Sequence, residues 1–256
     1  LMEWVVRILR HWYLFALAAA IALSLAYLKN RRVIERYLTT GTMIIKESNT
    51  GGGYGTSALM QGFAVGAGYT NVNNQLIILG SYDLISRTVD SLSFMNVEYI
   101  TKGRFKTRNI YRNTPITVEY SQLDPTVYNH LFRCYVQQDG SLLITTTEED
   151  FPFSYVTHYG EELVTSLFTA RIWPTNMMMS PGQHIYFRFR SHDSLTEEFS
   201  SRLQLNFVTE RSTVLGIQLV GETPARDREF IDKLSDIYLL QKVERKNMVA
   251  EKSIAF

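Results

Sequence analysis

The chain predicts an α+β protein with one membrane-spanning helix near its N-terminus, and three observations predict it. Seventeen residues without a charge, Trp12 to Leu28 (WYLFALAAAIALSLAYL), stand almost at the start. Between about Thr126 and Met179 the helical period vanishes, and short apolar runs separated by turn residues take its place. From Thr223-Pro224 a helical pattern resumes and runs to the last residue.

The apolar run comes first. As a helix it rises about 26 Å, close to the roughly 30 Å hydrocarbon core of a bilayer. Arg7, Arg10 and His11 precede it, and Lys29, Arg31 and Arg32 follow. Trp12, Tyr13 and Tyr27 lie at its ends, where amphipathic rings favour the headgroup region. A secretory signal needs a small-residue cleavage site after its apolar core. Lys29-Asn30-Arg31-Arg32 stands there instead. A core helix seldom runs this far without a charge. The reading is a membrane span at about residues 12–28. Both flanks are basic, so loop charge alone does not orient it.

Beyond the span, Thr42–Lys46 reads as a strand, and two glycine-rich stretches follow at 51–55 and 61–68. Neither carries the spacing of a phosphate-binding loop. A helix capped by Asn71 or Asn73 runs to about Phe94, with Gly80-Ser81 as a kink or break. Val97–Tyr99 and Ile116–Tyr120 read as strands. So do Leu131–Val136, Leu142–Thr147, Phe153–His158 and Phe168–Trp173, with Asp139-Gly140 as a hairpin turn. This block, 126–180, reads as an inserted β-subdomain. His184–Arg190 (HIYFRFR) alternates between apolar and polar positions, and Leu203–Val208 and Val214–Val220 are further strands. Thr223 caps the last helix with Pro224 at its first position, and Phe230, Leu234, Ile237 and Leu240 mark its buried side.

Composition excludes several functions. The formal net charge is +1; residues 1–36 hold six Lys/Arg against two Asp/Glu, and the remainder holds twenty against twenty-three. The body therefore lacks the basic footprint of a nucleic-acid binder. Cys134 is the single cysteine, which rules out an intrachain disulfide and leaves a buried, inert thiol as the natural reading. None of the histidines (His11, His130, His158, His184, His192) sits at metal-ligand spacing. Glu148-Glu149-Asp150, Glu161-Glu162 and Glu197-Glu198 are the carboxylate pairs, and adjacent positions on a strand or turn point apart, as solvated charges do. No catalytic, cofactor-binding or metal-binding residue is assigned.

Three segments carry a family resemblance. Asn71–Leu92 (NVNNQLIILGSYDLISRTVDSL) is similar to the N-N-E-I-x-I-L-x-S-R-x-L-I-x-x-V-V-x-x-L segment of Wzz-type polysaccharide co-polymerases, the chain-length determinants. Val97–Tyr120 resembles that family's V-x-Y-Y…E-L-Y-x-x-x-P-I-x-V. Ser212–Leu239 resembles the S-x-I-L-x-I-x-x-x-x-x-x-P-x-x-A-x-x-x-x-N-x-L-x-x-x-Y that precedes its long helix. Gln75, Tyr82 and Asp232 depart from the pattern, where Glu, Arg and Asn are usual. The β-insertion resembles versions fused to capsular or exopolysaccharide tyrosine kinases.

The resemblance implies a bacterial inner-membrane protein with its bulk in the periplasm. Residues 1–36 would hold the span, 37–125 and 181–222 an α/β base, 126–180 the insertion, and 223–256 the start of a long protruding helix. It implies a homo-oligomeric ring, an octamer, that works with a polysaccharide polymerase and an outer-membrane export channel to set the length of capsular or exopolysaccharide. The helix Asn71–Phe94 and the segment Val214–Leu239 are the expected oligomer or core surfaces. Arg87, Arg226, Asp227 and Arg228 are either inter-subunit contacts or solvated helix charges. No cofactor is expected in this chain; ATP and Mg belong to the alternative in which a tyrosine-kinase domain follows residue 256. A membrane-anchored export adaptor unrelated to polysaccharide is the other alternative.

Overall fold

The computed structural model describes residues 12–45, 74–103, 106–209 and 214–254. Helix α1 covers Trp12–Arg32. It is long and apolar enough to cross a membrane, and none of its apolar window is buried against the body. Ser24 Oγ donates to the Ala20 carbonyl at 2.8 Å, so the single serine of the apolar stretch satisfies its donor within the helix.

Strand β1 (Tyr37–Ile44) begins earlier than its apolar residues predict. It lies antiparallel to β12 (Val214–Gly221), which is flanked on its other side by β11 (Leu203–Phe207). Tyr37 pairs with Gly221 and Ile44 with Val214, and this pairing, rather than local apolarity, extends the strand back to Tyr37. One face of the sheet packs on helices. Residues 74–79 are helical; α2 (Tyr82–Asp90) follows; α3 spans His192–Arg202 and α4 spans Pro224–Ile254. Met43, Leu79, Leu84, Ile85, Phe199, Leu215, Ile217, Leu219, Phe230 and Leu234 share that core. The Phe199 and Phe230 rings stack with centroids 3.9 Å apart and planes 1° from parallel. The expected helix Asn71–Phe94 is interrupted at Gly80-Ser81. Ser81 caps α2 by accepting from the Leu84 amide, and Ser93–Asn96 forms a 3₁₀ turn. Asn71, Asn73 and the glycine-rich stretches lie outside the described residues.

Two further sheets enclose a second core. One runs β3 (Thr107–Ile110), β2 (Val97–Lys102), β10 (His184–Phe189), β5 (Phe132–Val136), β6 (Leu142–Thr146), β7 (Ser154–Thr157). The other runs β4 (Ile116–Leu123), β9 (Phe168–Pro174), β8 (Glu162–Val164). Phe132, fully buried, meets Phe153, Phe168, Phe187 and Phe189 at centroid distances between 5.3 and 5.9 Å. The Asp139-Gly140 turn joins β5 to β6, with Gly140 at φ +85° and the Asp139 carboxylate accepting from the Ser141 amide at 3.0 Å. The sheets reach past the block 126–180 on both sides: β2, β3 and β10 complete the six-stranded sheet, and β4 pairs with β9. Their apolar residues Val97, Tyr99, Ile116, Val118, Ile185, Phe187 and Phe189 all face this core.

Helix α4 has 31 residues, which at 1.5 Å per residue is about 46 Å. Phe230, Ile231, Leu234 and Tyr238 are its buried side. Leu240, expected among them, is 58% exposed, because the body ends at Tyr238 and no described residue beyond it is buried.

Candidate functional site: a charged seam beside an aromatic cleft

Between the two cores runs a line of ion pairs. Glu98 on β2 is 8% exposed. It accepts from Arg188 Nε, from Arg190 Nη1 at 3.4 Å and from Asn109 Nδ2 at 2.7 Å. Arg190 stands just past β10 and reaches the other way, donating to Glu198 on α3 at 3.0 Å. Glu198 also accepts from Arg202, one turn along the same helix, at 2.8 Å, and from Arg226 on α4. Arg202 closes the line on Asp227 of α4, with Nη2 at 2.6 and 2.7 Å from the two carboxylate oxygens and Nε donating to the Val220 carbonyl at 2.9 Å.

Local structure places each member. Ser191 caps α3 by accepting from Ser194, which sets the turn that brings Glu198 and Arg202 to one face. Pro224 opens α4, so Arg226 and Asp227 fall in its first turn, where a carboxylate faces the positive end of the helix dipole. Gly221 makes room: a Cβ there would stand 2.0 Å from Arg202 Nη2 and 2.1 Å from Asp227 Oδ2. Burial pushes the Glu198 carboxyl up, but Arg226, Arg190 and Arg202 around it outweigh that and hold it below the usual carboxylate range. Four guanidinium groups against three carboxylates leave the seam with one positive charge.

A cleft of about 690 Å³ opens beside the seam. Its walls come from the 3₁₀ turn, β2, β3, β4 and the entry to α4, and include Phe94, Tyr99, Tyr111, Arg112 and Tyr120 along with Glu98 and Arg226. The volume lies within the range of small-molecule sites. Tyr99 accepts from the Val118 amide at 2.7 Å, and burial pushes its hydroxyl up to about 12. Tyr111 donates to Glu229, which Arg112 also binds at 2.6 Å; burial raises the Tyr111 hydroxyl, and the Glu229 carboxylate adds to the shift. Arg112 adopts φ +61°, a left-handed conformation uncommon for a long side chain, and this turns its guanidinium over the Phe94 ring at 5.0 Å. Two lining residues carry buried polar atoms with no hydrogen-bond partner, Asn96 Oδ1 and Arg226 Nε. The cleft thus sets ring faces beside polar side chains. Of its two carboxylates, Glu98 is held by three donors and Glu119 accepts from Trp173 Nε1 at 2.8 Å.

The sequence-derived candidates divide two and two. Arg226 and Asp227 meet in the seam, and Asp227 is 1% exposed with its partner Arg202 inside the same chain. Arg87 pairs with Asp83 at 3.1 Å and Arg228 with Asp232 at 3.7 Å, each in an exposed pair one helical turn apart. Such pairs contribute about 0.5 kcal/mol or less. Glu98, Arg188, Arg190, Glu198 and Arg202 are the members that sequence reasoning missed. Glu198, taken as a solvated charge, is enclosed by three arginines, because its segment is a helix packed under α4 rather than a strand or turn.

Three histidines have carboxylate partners: His130 pairs with Glu148 and stacks on Phe151 at 4.2 Å, His158 meets Glu161 at 3.1 Å, and His192 meets Asp90 at 3.0 Å; the His184 ring meets Tyr186 edge-on, and His11 lies outside the described residues. Among the described residues no group of three His, Cys, Asp or Glu is placed to hold a metal ion. Cys134 is fully buried, and burial pushes its thiol up to about 12. No protein-family model matches the chain, and a comparison with curated proteins finds no match.

Proposed function

We propose that this chain is the anchored body of a polysaccharide co-polymerase, a non-enzymatic scaffold of the inner membrane that assembles with copies of itself and sets polymer length. The observation that carries the reading is the pairing of Tyr37 with Gly221. Through it, the strand that leaves α1 and the strand that leads into α4 lie side by side, so the anchor and the long helix depart from one edge of the body. That is the arrangement the resemblance implies: a membrane-proximal base with a helix rising from it.

Two further features support it. Past Tyr238, α4 carries Leu239, Leu240, Val243 and Met248, each more than half exposed, an apolar surface suited to neighbouring copies. The seam's charges pair among themselves and its carboxylates are saturated with donors, which suits a structural role better than acid–base chemistry. The cleft beside it, with ring faces and polar side chains in its wall, suits the hydroxyls and C–H faces of a sugar segment.

The experiment is deletion of the gene and gel profiling of surface polysaccharide. The expected result is an altered length distribution or altered yield, restored by the gene in trans. An unchanged profile contradicts the proposal and leaves the export-adaptor alternative.

A further inference from the structure

A second cleft, of about 780 Å³, opens where α1 meets the body. Arg31, in the last turn of α1, lines it together with Lys102 at the end of β2, Lys106, and Arg108 on β3. His184 and Gln183 add polar groups, and Met177, Met179 and Ile185 give it an apolar side. Met177 is 60% exposed, as is the adjacent Met178 at 67%.

The charge here is one-sided. Lys106 meets Glu35 at 3.2 Å, and the Tyr37 hydroxyl also donates to Glu35, at 2.7 Å. Lys102 lies over the Tyr186 ring at 4.5 Å, and neither it nor Arg108 forms an ion pair among the described residues. Four cationic side chains line the cleft and no carboxylate does among the described residues; Glu35 and Glu148 stand at its edge, within electrostatic reach of Arg108 and Lys102. This is unlike the seam, where acids and bases nearly balance.

Position decides the ligand. A bilayer crossed by α1 puts Arg31, just past the apolar run, in the headgroup layer. The cleft that Arg31 lines then opens at the plane of the lipid phosphates, with Met177 and Met178 beside it to meet glycerol and acyl carbons. Basic side chains clustered against the end of a span attract anionic headgroups. We infer that this cleft binds the phosphate of an anionic phospholipid, with Lys102 and Arg108 as its principal contacts, and so fixes how the body stands on the membrane. The inference rests on the anchored reading proposed above.

The test uses the whole chain in nanodiscs of equal phosphatidylglycerol and phosphatidylcholine, with native mass spectrometry counting the lipids that leave with the protein. The expected result is retention of phosphatidylglycerol over phosphatidylcholine, reduced about tenfold or more by Lys102→Gln with Arg108→Gln and unchanged by Arg87→Gln with Arg228→Gln. In a second arm, soluble glycerol phosphate is titrated onto the protein in phosphatidylcholine discs, and no saturable binding is expected. Equal retention of the two lipids, or retention indifferent to the Lys102 and Arg108 changes, overturns the inference. Saturable binding of glycerol phosphate without lipid preference overturns the lipid as the source of the phosphate. A chain that stays outside the discs overturns the anchor and this site together, whereas one that enters without lipid preference overturns the site alone.

Discussion

Arg202 on α3 holds the carboxylate of Asp227 on α4 through one nitrogen, at 2.6 and 2.7 Å, and Asp227 is 1% exposed. The pair ties the helix after β10 to the entry of the long helix. Asp227→Ala removes the more buried of the two carboxylates that Arg202 binds and leaves Glu198 as its remaining partner. The expected loss is about 2 kcal/mol, read as a lower urea midpoint with an unchanged slope.

Gly221 faces that same pair, and any Cβ there collides with both partners. Gly221→Ala should destabilise by about 1–3 kcal/mol through overpacking. Combined with Asp227→Ala its effect should shrink, since one of the colliding groups is gone. A double-mutant cycle on urea midpoints measures the coupling, and strict additivity would show that the glycine serves some other purpose.

Glu198 makes stability depend on acid. Its carboxyl is pushed up by burial but held below the ordinary range by Arg226, Arg190 and Arg202. In the unfolded chain a glutamate titrates near about 4.3. The native group is therefore the stronger acid. Its contribution is complete above about pH 4.3 and is lost as the pH falls through the lower native value. Denaturation midpoints measured across that window should fall for the wild type, and Glu198→Gln should flatten the dependence while lowering stability at neutral pH.

The Cys134 thiol is fully buried and pushed up to about 12. Thiolate is the reactive form, so a thiol reagent at neutral pH should label Cys134 only after the β core opens. Labelling followed against urea concentration should track unfolding of that core. Fast labelling of the native protein would contradict the packing around β5.

Most of the β-strands and the last helix are legible because their signals are local. HIYFRFR alternates, Asp139-Gly140 marks a turn, and Thr223-Pro224 starts a helix. The short strands β3 and β8 carry no such pattern and exist because neighbours pair with them, Tyr99 with Ile110 and Leu163 with Ala170. Helix α3 was readable in principle: Leu195 and Phe199 are four apart behind a Ser191 cap, yet the charged face of HDSLTEEFSSR conceals them. The seam was not readable. Glu98 and Arg188 lie far apart in sequence, and only the antiparallel register of β2 and β10 sets them opposite each other. Asp227 looked like surface charge because helix periodicity does not tell which polar residue has a partner waiting on another helix.

If an apolar anchor carries a body that assembles with copies of itself, as proposed, the mass of the detergent-solubilised chain reveals it. Mass photometry at micromolar concentration should show, after subtraction of the detergent, a discrete high multiple of the 29.5 kDa chain, as a closed ring requires. A single species at the mass of one chain would rule out self-assembly of the anchored body.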